Sequence, residues 1–304
     1  MAGAMFRAAP LRVRVPATAA NLGPGFDAAG LALSLYDDIV VQVTESGLDV
    51  QVAGEGADTV AAGERNLVVK AMRAGFKLLG GQPRGLALRC ANRIPHGRGL
   101  GSSAAAIVSG LVAARALVVG GADRLDDLAL LRLAAQVEGH PDNVAACMLG
   151  GLTLAWTERD GVHAVSSPVA ASVVPVALVP TTSVSTAKAR RMLPEQVPFA
   201  DAAFVAGRAA LLSVALTSRP DLLLPATEDR LHQGYRAPAM PRSATLVQKL
   251  RGQGVAAVVS GAGPTVLALT DAAGADRVVA AAPASWATHV LSVDSGGAAI
   301  VPME

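Results

Sequence analysis

A chain of 304 residues, 52% hydrophobic and 16% charged, is too apolar to stay disordered and long enough to divide into two domains. A net charge of +2 with no basic run, and aromatics at 3%, excludes the electrostatic footprint and stacking platform of a nucleic-acid binder. The longest continuous apolar stretches, such as Val173 to Val179, fall far short of the roughly 18 residues of a membrane span, so no membrane partner is expected.

Met1 to Pro10 has no apolar run of the kind a secretory signal carries, which points to the cytoplasm. Leu11 to Pro16 and Tyr36 to Thr44 read as strands flanking a Gly-rich loop, and Glu64 to Leu79 as a helix stopped by Gly80 and Gly81. After a strand at Gly85 to Ala91, a turn leads into Ser102 to Val119, small and apolar all round as a buried helix would be. Leu125 to Val137 is a further helix, followed by the polar turn Glu138 to Asn143, the apolar run Val144 to Leu149 and a strand at Leu152 to Thr157. From about Ser166 the pattern restarts, which places a domain boundary between 11–165 and 166–304. Helices follow near Asp201 to Leu216 and Ser243 to Leu250, and two strands flank Ser260 to Pro264. The two cysteines, Cys90 and Cys147, lack metal-ligand spacing and are expected as buried thiols.

The feature that carries chemistry is Pro95-His96-Gly97-Arg98-Gly99-Leu100-Gly101-Ser102-Ser103-Ala104-Ala105. Three glycines at alternate positions let the backbone approach an anion, and the unsatisfied N–H groups of a helix N-terminus stabilise a polyphosphate without a lysine. A plain connector with a serine cap would have a similar composition, but this run is longer and denser. It lacks the Gly-Lys-Ser/Thr of a P-loop, and a dinucleotide fingerprint would need glycine at Ser102. Ser102 and Ser103 are suited to cap the helix, bind phosphate or hold Mg²⁺.

This run resembles the phosphate-binding motif of the GHMP kinases. Pro16 to Asp27 and Ser260-Gly261-Ala262-Gly263-Pro264-Thr265 resemble the superfamily's two further motifs, in the same order along the chain. The resemblance implies an α+β, two-domain fold: an N-terminal domain like ribosomal protein S5 domain 2 and a ferredoxin-like C-terminal domain, with a tendency to form homodimers. It implies ATP as co-substrate, held by residues 95–105, Gly261, Gly263 and Asn66, the last toward the adenine. It also implies Mg²⁺ on Ser102 and Glu138.

Asn21-Leu-Gly-Pro-Gly-Phe-Asp27 looks like the homoserine kinase version of the first motif, which implies phosphorylation of the L-homoserine side-chain hydroxyl in threonine biosynthesis. A zwitterionic amino acid needs carboxylates for its ammonium and cations for its carboxylate. The chain offers Asp27 and Asp142 for the first and Arg190 and Arg236 for the second. By the same resemblance Asn21, His140 and Asn143 contact the substrate. Two roles remain open for Asp142, ammonium partner or general base, while Asn143 cannot accept a proton. A GHMP kinase with another hydroxyl substrate, or a silent regulator that binds nucleotide, are the competing readings.

Overall fold

The computed structural model describes residues 4–303. In chain order the strands are β1 (Leu11–Asn21), β2 (Gly25–Thr44), β3 (Gly47–Gly54), β4 (Gly85–Asn92), β5 (Leu152–Glu158), β6 (Gly161–Ser167), β7 (Val174–Val179), β8 (Ala256–Val259), β9 (Val266–Thr270), β10 (Ala287–Val290) and β11 (Ala299–Val301). The helices are α1 (Leu67–Leu78), α2 (Ser102–Leu117), α3 (Gly121–Arg124), α4 (Asp127–Glu138), α5 (Asp142–Leu149), α6 (Thr186–Arg191), α7 (Phe199–Thr217), α8 (Leu223–Ala226), α9 (Gln233–Arg236), α10 (Pro241–Gly252) and α11 (Ala272–Ala281).

Two sheets form. The first runs β11-β1-β2-β4-β3, with β5 on β2 and β6 on β5, and all of its pairs are antiparallel except β3 with β4. The second runs β10-β7-β9-β8, all antiparallel, and its β-α-β-β-α-β connectivity is the ferredoxin-like arrangement. The expected boundary at 165/166 falls inside β6, and β11 from the far end of the chain pairs with β1. Sheet membership therefore does not divide at one point of the sequence.

β1 and β2 are longer than their Val-rich ends suggest, and the expected Gly-rich loop shrinks to the turn 22–24. The small residues there mark close packing, not a loop. Ala17, Ala19, Ala20, Ala29 and Ala32 are buried because α2 and α5 pack on this part of the sheet. A Cβ on Gly30 would meet the Asp142 carbonyl, so the site's own helix requires glycine there. β3 and β6 went unread because both alternate weakly and sit at sheet edges, where half of each strand faces solvent.

α2 is buried on nearly every face, as its composition dictates. Gly110 admits α1 so closely that an added Cβ would touch the Val68 carbonyl. α7 is the one helix among the described residues long and apolar enough to cross a membrane by length and composition alone. Asp201 and Arg208 break up its apolar sequence, and Val205, Leu212, Ala215 and Leu216 bury one face of it within the fold. Both cysteines are free and buried, and burial pushes the Cys90 thiol up to about 12.

Candidate active site

Gly97, Gly99 and Gly101 adopt φ of 64°, 80° and 71°, so left-handed residues alternate with ordinary ones and the loop forms a concave nest of peptide groups ahead of α2. Its carbonyls are held from the far side: Val184 N donates to Gly97, Thr265 N to Arg98, Ser260 Oγ to Gly99 and Thr18 N to Leu100. The loop's N–H side is what remains for a ligand. Gly101 is the N-cap, with no side-chain bond, so neither Ser102 nor Ser103 caps the helix as the sequence suggested. The orphan amides and the positive end of the α2 dipole therefore stay available to an anion.

Two cavities meet at Ser102 and Ser103. One, of about 240 Å³, is largely apolar and has Asn66, His96 and Ala105 in its wall. The side chain of Asn66 is anchored locally: Oδ1 accepts from Val68 N and Val69 N to cap α1, and Nδ2 donates one of its two hydrogens to the Ala61 carbonyl. The Arg98 guanidinium donates to the carbonyls of His96, Pro180 and Thr181 and braces the loop from outside, rather than facing a phosphate. Pro95, Leu100, Ala104 and Ala105 are buried and shape the loop and the helix beneath it.

The second cavity, of about 150 Å³, gathers Asn21, Asp27, His140, Asp142, Asn143, Arg190 and Arg236 beside the glycines of both loops. Glu138, the last residue of α4, projects into it and accepts from Ser103 Oγ at 2.7 Å. The hydroxyl bonded to Glu138 here is that of Ser103, and Ser102, expected beside Glu138 as a Mg²⁺ ligand, lines the same cavity. Burial raises the Glu138 carboxyl above the ordinary range. A carboxylate and hydroxyls beside a phosphate cradle are the hard oxygen donors that Mg²⁺ takes, so the site fits that ion.

Gly139 ends α4 in the left-handed conformation, and the chain re-enters helix at Asp142 three residues later. Asp142 is 3% exposed and accepts from Asn143 N at 2.8 Å through Oδ1, with His140 Nδ1 3.3 Å away. That neighbour raises the His140 pKa and favours its cation. Thr18, buried in β1, donates to Asn143 Oδ1 at 2.7 Å, while Nδ2 lies 3.4 Å from Asp142 Oδ1. A flipped amide would set oxygen against the carboxylate. Asn143 therefore presents its N–H groups, not its carbonyl, to this side of the site.

The opposite wall is cationic. Arg190 forms a two-pronged ion pair with Asp27 at 2.7 and 2.9 Å, which raises its pKa. Asp27 and Arg190, assigned to opposite ends of the ligand from sequence, are thus joined to each other here. Arg236 is 2% exposed, and burial and then the charge of Arg190 lower its pKa. Both guanidiniums lie by the Phe26 ring, 5.8 and 5.1 Å from its centroid. Asn21 works mainly as a brace: Nδ2 donates to the Gly261 carbonyl and Oδ1 accepts from Asp27 N. Asn21, Leu22 and Asp27 all take positive φ, a strained turn that aims Asp27 at the cavity.

Sequence reasoning missed Thr18, Phe26, His232 and Ser260. Their neighbours within the motifs were the only signal, since each acts through a partner distant in sequence.

Comparison with known proteins agrees with this geometry. Residues 66–151 match the GHMP kinases N terminal domain and residues 202–288 the GHMP kinases C terminal domain. A homoserine kinase of Streptomyces coelicolor is 62% identical over 303 residues, covering 100% of this chain and 98% of that protein. The crystal structure of homoserine kinase from Cytophaga hutchinsonii superposes with a TM-score of 0.86 at 25% identity, covering 99% of this chain and 100% of that one. L. major mevalonate kinase in complex with R-mevalonate shares the fold, with a TM-score of 0.65 at 18% identity over 97% of this chain and 98% of that one.

Proposed function

The chain belongs to the GHMP kinase family, and from that premise we propose that it transfers the γ-phosphoryl group of ATP to the side-chain hydroxyl of L-homoserine, giving O-phospho-L-homoserine. The observation that carries the substrate is the second cavity's charge pattern. Two arginines by one aromatic ring face two aspartates and a histidine, so both signs of a small zwitterion find partners. A sugar or mevalonate has no ammonium for Asp27 and Asp142 to meet.

Phosphoryl transfer asks for alignment and charge stabilisation rather than covalent help. In this reading the peptide N–H groups of residues 97–103 hold phosphate oxygens, and the neighbouring apolar cavity takes the adenine, with Asn66 shaping its wall. Arg190 and Arg236 hold the substrate carboxylate, and Asp142 with Asp27 its ammonium, the Arg190–Asp27 pair opening as the zwitterion takes its place between them. Asn143 then points N–H groups at the oxygens where charge changes, and the hydroxyl proton passes to an oxygen of the transferred phosphoryl group. Mg²⁺, held by Glu138 with the Ser103 or Ser102 hydroxyl, would neutralise phosphate charge when bound. The working compartment is the cytoplasm. The units are one through Ser167, completed by β11, and a second from β7 to β10.

The test is ADP release from MgATP with L-homoserine, L-serine, L-threonine, mevalonate and galactose. ADP forms far fastest with homoserine. Turnover of mevalonate or galactose would keep the kinase and discard the substrate, and ATP binding without turnover of any acceptor would favour a silent regulator.

Glu138→Gln is expected to raise the Mg²⁺ concentration for half-maximal rate by roughly tenfold or more, with the homoserine KM little changed. Because the Glu138 carboxyl is raised, it protonates above the ordinary glutamate value of about 4.3, and the protonated form does not hold the ion. The wild-type Mg²⁺ requirement therefore climbs more steeply on acidification than that of the Gln variant. A parallel climb in both proteins would remove Glu138 from the metal site.

A further inference from the structure

His232 immediately precedes α9, is fully buried, and takes no part in the steps described above. Its Nε2 lies 2.7 Å from the Gly23 carbonyl, an acceptor only, so the ring proton sits on Nε2 and Nδ1 carries a lone pair. That lone pair faces Arg236 Nη1 at 3.3 Å. The ring also packs against Phe26, 5.1 Å between centroids. One side chain thus joins Gly23 in the β1–β2 turn, and Phe26 beside Asp27 at the start of β2, to the arginine on α9.

The remaining anchors of Arg236 are long: Nε to the Ala189 carbonyl and Nη1 to the Gly261 carbonyl, both at 3.4 Å. Among the described residues no carboxylate pairs with Arg236, whereas Arg190 has Asp27. Neutral acceptors alone hold this buried cation, and the imidazole nitrogen is the nearest of them. A neutral acceptor orients a guanidinium without cancelling its charge, as a site meant to receive a carboxylate requires.

We propose that His232 is a positioning residue for acceptor recognition, its Nδ1 lone pair holding Arg236 in the orientation that reads the substrate's α-carboxylate. This rests on the reading that Arg236 binds that carboxylate. His232 then sets the preference for homoserine over 3-amino-1-propanol, which has the same hydroxyl and amine but no carboxylate.

Two substitutions separate the ring's two bonds. His232→Gln places an amide where Nε2 was and can keep the tie to Gly23, and His232→Asn places an amide near Nδ1 and can keep an acceptor for Arg236. The Gln variant is expected to raise the homoserine KM by roughly tenfold, with kcat and the ATP KM within about threefold of wild type. Its preference for homoserine over 3-amino-1-propanol falls by the same factor. The Asn variant retains most of that preference. Equal losses on both acceptors in both variants, in step with a lower Tm, would make His232 a packing residue and overturn the proposal. Arg236→Met is the control: an unchanged homoserine KM there removes the carboxylate reading itself, while a raised KM there with none in His232→Gln removes only the role of His232. Should the variants not fold, ¹⁵N-histidine spectra of the wild-type protein decide. The His232 Nδ1 signal reports a lone pair and moves on saturation with homoserine but not with 3-amino-1-propanol, and a signal indifferent to both overturns the proposal.

Discussion

Asp142→Asn is expected to raise the homoserine KM by about 100-fold, with kcat reduced by less than about tenfold. The substitution keeps the size of the side chain and an oxygen for the Asn143 amide, so α5 still starts where it does. It removes a 97% buried negative charge that faces His140, Arg190, Arg236 and, in the proposed complex, the substrate ammonium. Among the described residues, the hydrogen bonds of Asp142 fall on Oδ1, which leaves Oδ2 for the ligand. If Asp142 were the general base, kcat would instead collapse by about 1,000-fold with KM nearly intact. A second readout is independent of turnover. Asp142 is the largest cause of the raised His140 pKa, so in the Asn variant the His140 proton resonances titrate at lower pH than in the wild type.

Gly101→Ala is expected to cost about 100-fold or more in kcat/KM for ATP and to lower Tm by roughly 5–10 °C. At φ of 71° an alanine is strained, and its methyl group would overlap the Thr18 hydroxyl and crowd Asn143 Oδ1, 3.2 Å away. Moving Thr18 releases Asn143, so one methyl group disturbs both the proposed phosphate cradle and the amide proposed to face the reacting hydroxyl. Gly207→Ala, on an open face of α7 where an added Cβ meets nothing within 4 Å, should instead stabilise by about 0.5–1 kcal/mol with activity unchanged. A wild-type ATP KM in Gly101→Ala would separate the cradle from catalysis.

Much of this site is visible in the chain because its parts depend on backbone geometry, which leaves a mark on composition. Alternate glycines at 97, 99 and 101 are readable since few other residues accept those dihedrals next to a ligand. Arg190 and Arg236 are different. Nothing local separates them from other basic residues, and only the zwitterionic substrate that the resemblance implies gave a reason to look for paired cations. Asn66 and Arg98 show that a motif does not reveal how its polar atoms are anchored: the Asn66 amide caps α1 and the Arg98 guanidinium braces the loop through backbone carbonyls. Thr18 and Phe26 escaped because an ordinary strand residue gives no hint of a contact 125 positions away, or of two cations brought to its ring from α6 and α9. In the fold, alternation located the exposed strands but failed where Ala and Gly pave the sheet beneath α2 and α5, since small side chains there serve close approach and not flexibility.

Arg190 and Arg236 both lie on the long connection from β7 to β8, while the glycine nest, Glu138, Asp142 and Asn143 come from the first sheet's helices and their lead-in loops. The second sheet needs only some helix in that connection to complete its topology, and its partner connection through α11 does the same job with a single helix. The surplus length is therefore modular. A lineage could exchange the segment between Pro180 and Val255 and alter which alcohol is admitted, so long as its first residues keep the contacts of Thr181 and Val184 with the glycine nest. One scaffold could in this way diversify across acceptors while conserving its donor, and a laboratory graft of that segment between relatives would retrace the same path.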